Sequence, residues 1–166
     1  MMKKIFPLLV ALFIGAQASA GELSQPTGAV ILTVSGKISN TNAEGEARFD
    51  REMLESLGMH MTRTRTPWTA GVGVFEGPLG KTLLETVGAS GETLKVTALN
   101  GFSSTVPVAD FYADDVIFAM KLDGQNMRVR DKGPLFIIYP FDDNDNLSTE
   151  VVYNRSVWQI SSVDVQ

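Results

Sequence analysis

Between His60 and Gly71 the chain reads HMTRTRTPWTAG, threonine and arginine alternating into Pro67 and Trp68. Strict alternation predicts an extended strand, with Thr62, Thr64 and Thr66 on one face and Arg63 and Arg65 on the other. Neither face is apolar, so an ordinary half-buried strand does not account for the pattern. It offers instead a row of small hydroxyls beside one aromatic ring. Nucleophilic chemistry is poorly served. With one histidine, His60, and no cysteine, no Ser-His-Asp or Cys-His arrangement is supported, and His60 reads as a structural or surface residue at a strand start. Asp142, Asp143 and Asp145 in FDDNDN resemble a calcium loop. No glycine sits at the turn position, however, and Glu150 is not where a closing glutamate belongs. A solvated acidic loop fits better, and Asp114-Asp115 reads as a turn or helix-end pair.

The elements that must position these residues are mostly strands. Ala29 to Val34 (AVILTV) reads as a buried strand. A short helix opens at Phe49 to Glu52, with Asp50 as N-cap, and closes at Gly58. Pro78 to Val87 reads as a second helix, with Pro78 at its first position and Gly88 just past its end. Thr93 to Leu99 and Phe102 to Val106 form a hairpin around Asn100-Gly101, a type I′ signal. Val116 to Leu122 reads as one strand ending at Asp123-Gly124. Leu135 to Tyr139 (LFIIY) is a strand buried on both faces, and Val157 to Val165 is a final strand. Strands with two or three short helices, and no regular βαβ alternation, predict an α+β domain around a mixed or antiparallel sheet.

The basic start MMKK, the apolar run Ile5 to Ile14 and the Ala18-Ser19-Ala20 signature describe a signal peptide at 1–20. The apolar run is too short to span a bilayer. The mature chain is expected in a periplasm, with 21–28 as an exposed N-terminal segment and one domain over 29–166. Removing Lys3 and Lys4 takes the formal charge from −5 to −7. No basic run survives, which argues against nucleic acid as a partner. Without cysteine the fold stands on its core alone.

Three segments carry a resemblance. TPWTAGVGVFEGPLGKTLLETVGA from Thr66, VTALNGFSSTVPVADF from Val96, and DGQNMRVRDKGPLFIIYPFDD from Asp123 follow one another in this order. Together they resemble the oxidoreductase molybdopterin-binding domain of the sulfite oxidase superfamily. The resemblance implies a sulfite-oxidase-type α+β fold, mixed β-sheet layers surrounding a pterin cleft. In that superfamily's enzymes a loop cysteine ligates molybdenum. The corresponding stretch here, Thr62 to Trp68, holds only threonine, arginine, proline and tryptophan. A hydroxyl cannot replace a soft thiolate, so no molybdenum is expected.

With RSVWQ at Arg155 to Gln159, the chain is most similar to small stand-alone periplasmic members. One such group binds reduced pterins of the tetrahydropterin type without metal. It signals to the periplasmic domain of a membrane enzyme that makes and degrades cyclic di-GMP. The resemblance therefore implies a sensor, not an enzyme. A molybdopterin oxidoreductase subunit and an accessory domain with an empty cleft are the alternatives. A pterin needs an aromatic face and a few polar partners for its edge. Trp68, Phe102, Tyr112 and Trp158 are the aromatic candidates; Thr64, Thr66, Asn100 and Arg155 are the polar ones. Arg128, Arg130 and Lys132 are read three ways: relics of a cofactor-phosphate site, a surface charge set, or contacts for an anionic tail.

Overall fold

The computed structural model describes residues 23–166, so the expected signal peptide at 1–20 lies outside the described residues. The apolar run near the start forms β1 (Val30–Gly36), which buries Leu32 and Val34. It pairs antiparallel with β2 (Ala47–Asp50), a strand too short to announce itself in the sequence. Asp50 ends β2 and caps α1 (Arg51–Ser56), its Oδ1 accepting the Met53 N–H at 2.9 Å. Its other oxygen accepts the N–H groups of Thr27 and Gly28 at 2.8 and 2.7 Å. Together with Leu23, which packs against the core, these bonds tie the start of the described chain down. Of the expected exposed segment 21–28, the described residues 23–28 are mostly exposed, and these bonds fasten them to the domain.

The chain continues through β3 (His60–Arg65), β4 (Val72–Gly77), α2 (Gly80–Thr86), β5 (Thr93–Ala98), β6 (Ser103–Pro107) and α3 (Asp110–Ala113). It then forms β7 (Ile117–Ala119), β8 (Lys121–Leu122), β9 (Gln125–Asn126), β10 (Phe136–Ile138), α4 (Glu150–Arg155) and β11 (Ile160–Val165). A five-stranded sheet runs β2-β1-β11-β5-β6, mixed because only β1 and β11 are parallel. A four-stranded antiparallel sheet runs β3-β4-β8-β9, and β10 pairs with β7 alone. The architecture is α+β, with several sheets and a few short helices. Its larger core cluster includes Leu32, Phe49, Val96 and Val163; a smaller one gathers Phe75, Ile117, Phe136 and Ile138. Trp68 packs against both.

Four expected elements differ in detail. Val116 to Leu122 is two strands, because Met120 crosses between sheets: its N–H bonds Glu76 while its carbonyl accepts the Met127 N–H. Helix α2 begins at Gly80 and not at Pro78, since Leu79 stays extended and bridges Ile117. Gly80 is then pressed against the Phe111 ring, leaving no room for a Cβ. The last strand begins at Ile160, because Gln159 adopts φ +53° and breaks the extension. In the β5–β6 hairpin only Gly101 has positive φ, so the turn is not type I′. The Gly101 N–H bonds the Ala98 carbonyl, and Ala98 N–H bonds Phe102, a wider loop whose left-handed position falls on glycine. Helices α3 and α4 bring the α-helices among the described residues to four.

Asp50 carries a pH signature. The Met53 N–H, then that of Gly28, hold its carboxyl below the ordinary value of 3.8, outweighing the effect of burial. A folded value below the unfolded one means its contribution is complete above that ordinary value and is lost as pH falls through the folded value. Asp50→Asn should therefore lower the urea midpoint at neutral pH, with the difference from wild type shrinking toward about pH 3. A constant difference across that range would mean that the charge is irrelevant.

Candidate functional site

Strand β3 keeps the expected alternation but turns the threonines inward. Thr62, Thr64 and Thr66 are buried, while Arg63 and Arg65 are exposed. The strand is half-buried after all, with hydroxyls where apolar side chains would ordinarily stand. The fully buried Thr64 hydroxyl donates to its neighbour's carbonyl, at Arg65, at 3.2 Å. It also accepts the Asp142 N–H at 3.1 Å, which pins the FDDNDN loop to β3. Thr66 Oγ1 lies 2.7 Å from Thr69 Oγ1 and accepts the Trp68 N–H at 3.3 Å. These hydroxyls are occupied internally and hold the turn that carries Trp68. Thr64 and Thr66, ligand candidates in the sequence, do not line the groove described below, and their hydroxyls are engaged by backbone groups and by Thr69. Thr62 Oγ1 is buried with no partner among the described residues.

The turn fixed by Thr66 sets Trp68 into an aromatic cluster. Its ring meets Phe136, Phe141, Tyr153 and Trp158 edge to face, at centroid distances of 5.4, 6.4, 5.7 and 5.7 Å. Above this cluster lies a groove of about 370 Å³, lined by Trp68, Ala98, Asn100, Phe102 and the stretch Tyr153 to Trp158 without Arg155. Trp68, Asn100, Phe102 and Trp158 of the sequence candidates are thus brought together. Phe102 is 53% exposed and Trp158 36%, so both present ring area to the opening. Asn100 Oδ1 accepts the Phe102 N–H at 3.0 Å, which leaves its amide donors for the groove. Asn154, exposed at the rim, adds a second amide. Lys132 Nζ sits 5.3 Å from the Trp158 ring centroid, the one cation stacked over a ring among the described residues.

The remaining candidates lie elsewhere. Arg155 turns away from the groove and donates to Asp110 Oδ2 at 2.9 Å. Tyr112 is exposed on α3, and Arg130 is a surface cation 3.9 Å from Asp131, which also pairs with Arg128. Neither lines the groove. The groove residues that the sequence reading did not single out are Ala98, Tyr153, Asn154, Ser156 and Val157. Most belong to α4 and the turn after it, where RSVWQ carried a signal but the helix ahead of it carried none.

Chemically, the groove is an apolar, ring-lined slot with amides at its rim. That suits a flat heteroaromatic ligand with donors and acceptors along its edge. A pterin bicycle fits this donor set: ring faces from Trp68, Phe102 and Trp158, and edge partners from Asn100 and Asn154. Among the described residues no group of three or more histidine, aspartate or glutamate side chains is arranged to hold a metal ion. No helix among them is long and apolar enough to cross a membrane. Comparison with known proteins gives no matching family model and no matching curated sequence.

Proposed function

We propose that this chain is a metal-free pterin-binding sensor whose ligand lies in the groove between Trp68, Phe102 and Trp158. The observation that carries the reading is the groove itself, four aromatic rings and two rim amides converging from β5–β6, the Trp68 turn, α4 and the α4–β11 connection. The resemblance to the sulfite oxidase superfamily supplies the ligand class, a reduced pterin, and with it a fold of that type. The chain has no cysteine to offer molybdenum, which separates the reading from that of an oxidoreductase subunit. In this proposal ligand occupancy is passed to the periplasmic domain of a membrane enzyme of cyclic di-GMP metabolism.

The test is titration calorimetry of the purified protein with tetrahydrobiopterin, with elemental analysis of the same preparation. The expected result is one site with a dissociation constant on the order of 1 μM and no stoichiometric molybdenum. About one molybdenum per chain would transfer the protein to the oxidoreductases. No binding of any reduced pterin would leave the groove without this role.

A further inference from the structure

Five of the six residues from Tyr153 to Trp158 line the groove. The sixth, Arg155, points the other way, and its guanidinium meets a carboxylate that does a second job. Asp110 Oδ2 accepts from Arg155 at 2.9 Å and from the Tyr139 hydroxyl at 2.7 Å. The Arg155 and Asp110 side chains are 27% and 19% exposed, so water competes for them less than for a surface pair. The two donors come from the two segments that flank the aromatic cluster. Tyr139 follows β10, and its ring meets Phe141 at 6.0 Å, which in turn meets Tyr153 of the groove wall at 5.4 Å. Arg155 ends α4, a helix of six residues too short to hold itself in place.

We propose that Asp110 is a positioning residue for the groove, clasping Arg155 and Tyr139 so that the wall from Tyr153 to Trp158 stands at a fixed distance from Trp68. This rests on the reading of the groove as a ligand site. Arg155, sought in the sequence as a ligand contact, then acts from behind the wall. Its outward turn is what lets its neighbours face inward. Burial, and then the bond to Asp110, push the Tyr139 phenol far above the ordinary tyrosine range, so it remains a donor throughout the physiological range. The clasp is therefore not a pH switch at Tyr139.

Both tryptophans of the chain line the groove, so acrylamide quenching of their fluorescence reports the wall without any ligand. In Asp110→Ala the quenching should rise and tetrahydrobiopterin affinity should fall at least about tenfold, with far-ultraviolet circular dichroism unchanged. Arg155→Met should do the same, and the double variant should be no worse than either single, since both remove one clasp. Tyr139→Phe keeps the ring and should show a smaller change in the same direction. Unchanged quenching and affinity in folded Asp110→Ala, or strictly additive effects in the double variant, would overturn the proposal. If Asp110→Ala does not fold, Tyr139→Phe decides by the same two readouts. If wild type binds no pterin yet quenching still rises in the variants, the clasp stands and the ligand reading falls.

Discussion

Trp68→Ala is expected to weaken tetrahydropterin binding by about 30- to 1,000-fold, roughly 2–4 kcal/mol. The residue supplies a ring face to the groove and also separates Tyr153 from Phe136, touching both edge to face. Truncation removes the stacking partner and releases the Tyr153 and Trp158 rings into the space it leaves. Trp158→Ala isolates the first effect, because a ring already 36% exposed can be removed at less structural cost. Its affinity loss should approach that of Trp68→Ala while its melting temperature changes less. Arg65→Ala should bind normally: its side chain stands on the outer face of β3, near Asp142 at 3.5 Å, and takes no part in the groove. Titration calorimetry on the three variants separates these roles. Wild-type affinity in a folded Trp68→Ala would place the ligand somewhere else.

Phe136→Ala is expected to lose about 3–5 kcal/mol of stability, a large share of the roughly 5–15 kcal/mol of a typical domain. Phe136 is fully buried and holds the smaller core cluster together. Its ring meets Phe75 at 6.3 Å on one side, and Trp68 and Trp158 at 5.4 and 5.9 Å on the other. It also forms an isolated bridge with Trp158 through the backbone. Neighbours tied on so many sides cannot collapse into the space left behind, which places the cost at the upper part of the range. Urea denaturation measures it. A loss below about 1 kcal/mol would show that the small cluster repacks freely, and that the groove floor is softer than its geometry implies.

Local signals in the sequence translate well into structure, and signals that depend on distant partners do not. The LFIIY run is buried throughout and its middle, Phe136–Ile138, forms a strand, while Asp50 caps α1, because an apolar run and a capping carboxylate act through their own neighbours. Met120 belongs to an unbroken β-rich run, yet the chain changes sheets there; the cause, Glu76, is far away in sequence. The site divides the same way. Trp68 and Trp158 stand out as large rings among polar residues, and Asn100 and Phe102 come with the hairpin. The threonine row misleads because alternation tells which residues share a face and not which way that face points. Arg155 lies outside the groove for a reason the sequence does not carry, since only the fold reveals Asp110 as its partner.

The parallel pairing of β1 with β11 has a consequence for how the protein comes into being. Ser35 and Asp164 hydrogen-bond across 129 residues, and β11 lies between β1 and β5, the middle place in the five-stranded sheet. Until β11 arrives, β1–β2 and the β5–β6 hairpin are separate ribbons with unpaired edges, and a two-stranded ribbon is marginal alone. The sheet therefore cannot assemble from its start as the polypeptide emerges. It closes in one late step, with a large loop-closure entropy and a correspondingly slow rate.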